Sequence, residues 1–314
     1  MTRSLLLLAL SLSLYTSGCS LLLGRDEYLF YAADVLAPPG QQVRLAARLE
    51  HGEFLKDQEH KTVEYYLGGQ LLGRARTDED GRASLDFTPA QVGDYIVRLE
   101  CRPKPGTPVA RAELLVCCRP SDTPLCVVDI DGTLVASGFL EVVRRQAQPM
   151  PFSVEAVSEL ARRRTIVYLT YRPTLLSPIS KDWLAQQGYP RGPVFMAPHD
   201  LLNLGSRRYK AIMLADIRRR FTAPAIGIGD KRSDMAAYTD AGVDPYLVLH
   251  LEQEATAAQV RRLIRHVDKL PDPVHVAANW RMLDDMLLGG QEIPREQLRQ
   301  YLAEVARRRE QGRP

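Results

Sequence analysis

Apolar and polar residues alternate along the first third of the chain in short segments. Val43–Leu49, Thr62–Leu67 and Tyr95–Leu99 each show this period of two, which is typical of β-strands that bury one face. Turn-forming pairs separate such segments at Gly68-Gly69, Asp80-Gly81 and Pro105-Gly106. The pattern predicts a small β-sandwich domain over residues 26–120.

A corner motif refines this prediction. Phe87-Thr88-Pro89 is followed by Val92-Gly93-Asp94-Tyr95, which resembles the strand-joining corner of immunoglobulin-like domains, with Tyr95 as the corner tyrosine. The sequence lacks the Cys-Trp-Cys pattern of antibody domains, so the likeness is one of architecture. Because such modules more often space or dock other domains than catalyse, we predict no chemistry for this one.

Continuous apolar runs replace the alternation after residue 120. Such runs predict strands that are buried on both faces, as in the parallel sheets of α/β domains, with helical patterns between them. The predicted strands are Leu125–Val128, Thr165–Leu169, Val194–Met196, Ala225–Ile228 and, closing the sheet, Tyr246–His250. The predicted helices are Val154–Arg164, Ile179–Gly188 and Tyr209–Phe221. We therefore expect an α/β domain over residues 121–252.

The last segment, residues 253–314, carries only helical patterns. Helices are expected near Ala255–Lys269, His275–Leu288 and Arg295–Arg309, with Trp280 packed against the core. These residues are predicted to form a C-terminal helical extension.

Polar side chains suited to phosphoryl transfer lie at the ends of the predicted strands or at the start of a helix. Open α/β sheets bind ligands at the carboxyl ends of their strands, so we expect these side chains to share one crevice. In chain order they are Asp129, Asp131, Thr170, Lys210, Asp230 and Asp234. Taken singly, paired acids often form turns, and Lys210 could be a solvated residue of a basic run. Their joint occurrence in this order favours a site.

This order of residues resembles the haloacid dehalogenase (HAD) superfamily of phosphohydrolases. Within that superfamily, the chain is most similar to the lipin-type phosphatidate phosphatase domain. The likeness covers about residues 126–245 and rests on Asp129–Thr133, Tyr168–Pro173, Gly192-Pro193 and Gly229–Tyr238. Thr170-Tyr171 replaces the usual Ser-Ala of lipins, and Asp230 replaces their usual Asn, so the substrate stays open. The resemblance implies a HAD-like Rossmannoid fold with a three-layer parallel sheet.

The resemblance also implies a role for each acidic residue. Asp129 would attack phosphorus and form an aspartyl-phosphate, while Asp131 would protonate the leaving oxygen and then activate water. Mg²⁺ would be held by Asp129, by Asp131 through its backbone carbonyl and by Asp230. Asp234 would be a further ligand or an orienting group, or it could cap the following helix.

The other residues would bind the phosphoryl oxygens. Lys210 and Thr170 would neutralise and position these oxygens, and backbone amides near Gly132 and Thr133 would donate further hydrogen bonds. Arg172 is either an additional phosphate ligand or a surface arginine.

Short connections between the motifs predict a catalytic domain without a cap. About thirty residues separate Thr133 from Thr165, and a helix, a strand and loops fill the stretch from Thr170 to Lys210. An open crevice favours substrates that cover it themselves, such as a lipid headgroup, a polymer end or a protein.

The amino terminus has the layout of a bacterial secretion signal. Arg3 precedes the leucine-rich run Ser4–Leu14, which is short for a membrane span, and Thr16-Ser17-Gly18 leads to Cys19. We predict a lipoprotein signal peptide over residues 1–19 with a lipid on Cys19; the alternatives are an uncleaved anchor and a plain signal peptide. The expected location is the bacterial cell envelope, on a periplasm-facing membrane, with the outer membrane favoured in a Gram-negative organism.

Cysteine spacing and charge argue against two classes of function. The four cysteines after Cys19 have no zinc-ligand spacing. They could form up to two disulfides, although the hairpin places Cys101 opposite roughly residue 111 and so out of register with Cys117. The formal net charge of +3 argues against strong nucleic-acid binding. Arginine clusters such as residues 218–220 could attract anionic lipid or simply end solvated helices.

These predictions combine into one hypothesis. The chain would be an Mg²⁺-dependent phosphomonoester hydrolase, held at a bacterial membrane by its lipid, that acts on phosphatidate or a related phospholipid. The alternatives are a phosphatase for a soluble or polymeric phosphomonoester and a non-catalytic lipid- or protein-binding module. Binding alone would not need both Asp129 and Asp131, which counts against the module. The oligomeric state stays open.

Overall fold

The computed structural model describes residues 27–135, 147–251 and 254–311. The chain divides into two compact units, Met1–Arg119 with Thr174–Pro178 and Pro120–Pro173 with Ile179–Pro314. The predicted signal peptide and the predicted lipidation site, Cys19, lie outside the described residues. In the described ranges, no helix is both long and apolar enough to cross a membrane.

The first unit is a sandwich of two sheets. Its strands are β1 (Tyr28–Ala32), β2 (Val35–Ala37), β3 (Val43–His51), β4 (Lys56–Asp57), β5 (Thr62–Leu67), β6 (Gln70–Arg76), β7 (Arg82–Phe87), β8 (Gly93–Cys101) and β9 (Ala110–Cys118). One sheet has the order β1-β3-β4 with β7 also on β3, and the other has the order β2-β9-β8-β5-β6. Leu45 and Leu49 of β3 share one apolar core with Val97 and Leu99 of β8. The predicted β-sandwich is confirmed.

The predicted corner and hairpin register are also present in this unit. The Tyr95 hydroxyl donates to the Gln91 carbonyl at 2.8 Å and accepts from the Gln91 amide at 3.0 Å, which is the hydrogen bonding of a tyrosine corner. Cys101 lies opposite Ala110 in the pairing of β8 with β9, close to the register predicted from the turn. The described cysteines are free and buried, at positions 101, 117, 118 and 126.

The second unit contains a six-stranded parallel sheet. Its strands are β10 (Leu125–Val128), β11 (Thr165–Pro173), β12 (Val194–Ala197), β13 (Ala225–Gly229), β14 (Asp244–Val248) and β15 (His275–Ala277). They lie in the order β12-β11-β10-β13-β14-β15. All residues of the central strands β10 and β13 are buried, as their continuous apolar runs predicted.

Two predictions about this sheet are wrong in detail. β11 does not end at Leu169 but continues through Thr170 to Pro173. The strand at Asp244–Val248 does not close the sheet, because His275–Ala277 pairs with it in parallel. We expected helix from His275 onwards, but three residues are too few to show a period. The helix begins only at Trp280, where the Asn279 side chain accepts from the Met282 amide as an N-cap.

Helices cover both faces of this sheet. They are α1 (Ser153–Ala161), α2 (Ser177–Gln186), α3 (Ser206–Arg220), α4 (Arg232–Asp240), α5 (Ala257–Val267), α6 (Trp280–Leu287) and α7 (Arg295–Glu310). The chain steps from β10 through β11 to β12 in one direction and from β13 through β14 to β15 in the other. Because such crossovers are right-handed, α1 and α2 cover one face, and α3, α4 and α5 cover the other. The predicted three-layer HAD-like arrangement is confirmed.

The described connections of this unit hold no inserted domain. Between β11 and β12 lie the 3₁₀ turn Thr174–Leu176 and α2, and between β12 and β13 lie the 3₁₀ turn His199–Leu201 and α3. Part of the stretch from β10 to α1, residues 136–146, is outside the described ranges. The connections described thus agree with a capless domain.

Candidate active site

The candidate site lies where the direction of the crossovers changes, at the carboxyl ends of β10 and β13. Open α/β sheets bind ligands at such a switch point. The two strands are tied together up to this edge, since the Asp129 amide donates to the Ile228 carbonyl at 3.0 Å. Asp129 and Asp230 directly follow these neighbouring strands and therefore lie side by side.

A buried lysine joins two of the predicted carboxylates. Lys210 Nζ lies 2.6 Å from Asp129 Oδ1 and 2.8 Å from Asp234 Oδ1. The three residues are at most 3% exposed, so Lys210 is not the solvated residue of a basic run. It is brought to the sheet edge by α3, whose buried face also contains Leu214.

Asp234 has a second partner that explains its position. Its Oδ2 accepts from the Lys231 amide at 3.3 Å, so it closes the first turn of α4 while its Oδ1 holds Lys210. Both predicted roles, helix cap and site residue, thus belong to the same carboxylate. Since each oxygen has a donor, the arrangement favours an orienting role for Asp234 over direct metal ligation.

Burial and the ion pairs perturb the protonation of this group. Burial raises the pKa of Asp129 to about 6, although the nearby Lys210 ammonium opposes the shift. Burial lowers the pKa of Lys210, but the Asp129 and Asp234 carboxylates outweigh it and hold that pKa above its ordinary value. Lys210 therefore remains protonated and places its positive charge next to Asp129.

Three carboxylates are close enough to form a metal site, with Asp129 and Asp230 as the direct ligands and Asp234 orienting Lys210 beside them. Asp129, Asp230 and Asp234 each offer an oxygen, and the three oxygens lie within 4.8 Å of one another. Such an all-oxygen set suits a hard cation such as Mg²⁺ rather than zinc. Burial raises the pKa of Asp230, and the neighbouring Lys231 ammonium opposes this shift.

The turn after β10 is shaped to bring these groups together. Gly132 has a φ of 81°, and a Cβ at this position would collide with the Asp230 carboxylate. The Thr133 hydroxyl lies 3.3 Å from both Asp129 Oδ2 and Asp230 Oδ1. Thr133 thus bridges the two strand ends. The Gly132 and Thr133 amides, which we predicted to bind phosphate, instead donate to backbone carbonyls of the same turn at 3.0 and 3.3 Å.

Asp131 is held by two residues that we predicted as phosphate ligands. Arg172 Nε lies 3.0 and 2.9 Å from its two carboxylate oxygens, and Arg172 Nη2 lies 2.7 Å from Oδ1. The Thr170 hydroxyl donates to Asp131 Oδ2 at 3.0 Å. Arg172 is 4% exposed and is therefore not a surface arginine.

Sequence reasoning missed two residues of this site. Lys231 Nζ lies 3.1 Å from the Asp131 carbonyl and 3.6 Å from Asp230 Oδ1, so its ammonium lies beside two groups predicted to bind Mg²⁺. Because Lys231 directly follows Asp230 in the sequence, its position could have indicated that it lies at the site. Ser180 accepts from Arg172 Nη1 at 3.0 Å, and nothing in the sequence around α2 indicates this contact.

Part of the α/β unit matches the model of a known domain family. Residues 126–251 match the family model described as the LNS2 domain of PITM 1-3. This domain is of the lipin/Smp2 type and is related to the HAD phosphatases. The match contains the whole site described above, from Asp129 to Asp234. The predicted resemblance to a lipin-type HAD phosphatase is confirmed over this segment.

Solved structures resemble each unit separately. The D,D-heptose 1.7-bisphosphate phosphatase of B. bronchiseptica is 24% identical, covers 54% of this chain and 99% of its own, and has a TM-score of 0.42. Titin M4 is 13% identical over 30% of this chain and 94% of its own, with a TM-score of 0.24. Fibronectin(III)-like modules of Clostridium thermocellum CbhA are 10% identical over 28% and 96%, with a TM-score of 0.20. Because these TM-scores are low, the fold of each unit is assigned from its strand order and not from these likenesses. The search of curated proteins found no match.

Proposed function

We propose that the α/β unit is an Mg²⁺-dependent phosphomonoester hydrolase. The observation that carries the proposal is a buried Asp129 paired with Lys210 at 2.6 Å, with a second carboxylate, Asp131, two residues further on. A structural ion pair would need only the first carboxylate. Phosphoryl transfer needs a nucleophile, a proton donor and positive charge together, and all three types of group lie at this strand end.

In this proposal, each of the two carboxylates has its own task. Asp129 Oδ1 is held by Lys210 at 2.6 Å, whereas Oδ2 has only the Thr133 hydroxyl at 3.3 Å and would attack phosphorus. As the Oδ2–phosphorus bond forms, the bond to the leaving oxygen breaks, and Asp131 gives that oxygen its proton. Water then attacks the aspartyl-phosphate and passes a proton to Asp131, and the bond from phosphorus to Asp129 breaks to release phosphate.

The described residues also supply the positive charge. The Lys210 ammonium offsets the negative charge of Asp129, and the ion pair with Asp234 keeps the lysine in place. Asp129, Asp230 and the Asp131 carbonyl would hold Mg²⁺, which when bound offsets the charge of the carboxylates and of the phosphate. The Lys231 ammonium beside two of these groups supports a cation-binding role for them.

We infer further that the substrate is phosphatidate or a related phospholipid. The match to the LNS2 domain supports a lipid phosphomonoester. The short described connections support an open crevice that a large substrate could cover. The predicted lipid on Cys19 would keep the site at a membrane surface.

A substrate screen tests this proposal directly. Phosphate release is measured on phosphatidate vesicles and on nucleotide, sugar and phosphoprotein monoesters, with Mg²⁺ and with excess chelator. We expect the highest kcat/KM on phosphatidate and no turnover in chelator. Release from soluble or polymeric esters alone would reject the lipid assignment, and full activity in chelator would reject the metal site.

A single substitution tests the nucleophile. Asp129→Asn removes both the negative charge and the nucleophilic oxygen at nearly constant shape, so we expect turnover to disappear. Asp122→Asn makes the same change at an exposed position before β10 and serves as the matched control. If Asp129→Asn keeps activity within a factor of about ten, or about 1.4 kcal/mol of barrier, Asp129 is not the nucleophile.

We also propose that the protein is anchored in the bacterial envelope through Cys19. Cys19→Ala should move the protein from the membrane fraction to the soluble envelope fraction and abolish labelling by a radioactive fatty acid. Ser20→Ala, next to the cysteine, should keep the label. An unlabelled wild-type protein that stays in the membrane fraction would instead indicate an uncleaved anchor.

A further inference from the structure

Arg172 forms a two-point contact with Asp131 that is supported from behind. Its Nε and Nη2 atoms face the two carboxylate oxygens at 2.7–3.0 Å, which is the fork geometry that guanidinium groups adopt with carboxylates. Its remaining terminal nitrogen, Nη1, donates to Ser180 Oγ at 3.0 Å. Every nitrogen of the guanidinium group therefore has a protein partner.

The backbone and Thr170 make this contact more rigid. The Thr170 hydroxyl donates to Asp131 Oδ2 at 3.0 Å and accepts from the Arg172 amide at 3.2 Å. Arg172 and Ser180 are 4% and 1% exposed, whereas the Asp131 side chain is 30% exposed. The holding groups are thus buried and fixed, and the carboxylate that they hold faces the open edge of the sheet.

We propose that Arg172 is a positioning residue that aims Asp131 at the leaving oxygen, and that Ser180 and Thr170 keep it in place. This inference rests on the phosphomonoesterase function proposed above. Proton transfer requires the donor to lie within hydrogen-bond reach of the leaving oxygen, so a carboxyl group that is free to rotate is a poor proton donor. Arg172 acts through Asp131 and does not itself hold the phosphoryl group.

This role makes the effect of Arg172 depend on the leaving group. A nitrophenolate leaves without needing a proton, whereas an alkoxide must be protonated as it departs. Arg172→Gln and Arg172→Lys should therefore reduce kcat/KM, which covers only the steps up to departure of the leaving group, about 10- to 100-fold more on an alkyl phosphate than on para-nitrophenyl phosphate. This difference is a part of the roughly 10²–10⁴ that positioned proton transfer contributes. Lysine keeps the charge but loses the fork, so it should not restore the alkyl phosphate activity.

A double-mutant cycle separates positioning from a general loss of structure. In the Asp131→Asn background, the proton donor is already gone, so adding Arg172→Gln should change kcat/KM on the alkyl phosphate by less than about 3-fold. Ser180→Ala removes only the support behind Arg172 and should show a weaker form of the same leaving-group dependence. Arg163→Lys makes the same change at an exposed arginine and should affect neither substrate.

Three results would overturn the inference. Equal losses on both substrates, with weaker inhibition by orthophosphate, would show that Arg172 binds the phosphoryl group. Equal losses with unchanged inhibition, or an undiminished effect in the Asp131→Asn background, would show a purely structural role. A wild-type protein that releases phosphate from no ester would reject the proposed function and this inference with it, whereas the first two results leave the function standing.

Discussion

Replacing Lys210 with methionine should strongly destabilise the α/β unit. The wild-type ammonium lies between two buried carboxylates, at 2.6 Å from Asp129 and 2.8 Å from Asp234. Methionine keeps most of the apolar stem of lysine, so little packing is lost. In the variant, Asp129 and Asp234 stay buried but no longer have the lysine ammonium between them.

The size of the effect follows from these two contacts. Removing one partner of a buried ion pair costs about 3–5 kcal/mol, because the remaining charge stays buried and unpaired. Two hydrogen bonds to charged groups, at about 1.5–3 kcal/mol each, give a similar figure. We therefore expect the free energy of unfolding to fall by about 3–5 kcal/mol.

Tryptophan fluorescence during urea unfolding measures this change in the α/β unit alone. The chain has two tryptophans, Trp183 and Trp280, and both are buried in this unit. Lys269→Met makes the same change at an exposed position after α5 and should stay within about 0.5 kcal/mol of wild type.

A second substitution tests the cause of the instability. Adding Asp234→Asn to Lys210→Met removes one of the two unpaired charges, so the double variant should be more stable than Lys210→Met by at least about 1 kcal/mol. If Lys210→Met is as stable as Lys269→Met, the buried cation is not what holds this edge of the sheet together.

Three further substitutions test other contacts. Tyr95→Phe removes the corner hydrogen bonds and should lower the stability of the β-sandwich by about 1 kcal/mol, seen as faster amide hydrogen exchange in β8. Gly132→Ala forces a Cβ against Asp230 at a positive φ, so it should weaken Mg²⁺ binding in calorimetry and reduce activity at least tenfold. Lys231→Met removes an ammonium that competes for the metal ligands, so Mg²⁺ should bind more tightly. An unchanged Mg²⁺ affinity would show that the Lys231 ammonium does not compete with the ion.

Much of the site could be predicted because parallel strands bring their carboxyl ends to one edge. Asp129, Thr170 and Asp230 each follow or end an apolar run, so their proximity follows from the sheet alone. Lys210 lies on a helix instead, and its place depended on the resemblance to a known family. Its burial between two acids confirms that it reaches this edge.

The partners of these residues could not be predicted in the same way. Arg172 could reach either a phosphate or Asp131, and only the side-chain geometry decides between them. Ser180 comes from α2, whose orientation on the sheet no local pattern specifies. The strand His275–Ala277 is too short to show a period, and its pairing with β14 is a tertiary contact.

The indole of Trp280 donates to the carbonyl of Thr133, which lies 147 positions earlier in the chain, at 3.0 Å. A growing chain therefore exposes the turn after β10 at the ribosome long before the residue that fixes it has been made. The strand β15 is added in the same late interval. The turn after β10 is thus synthesised early, but its contact with Trp280 can form only after the later segment has been made. Loss of the segment from Trp280 onward, by proteolysis or early termination, should therefore destabilise the turn after β10 even though the candidate site residues remain in the chain.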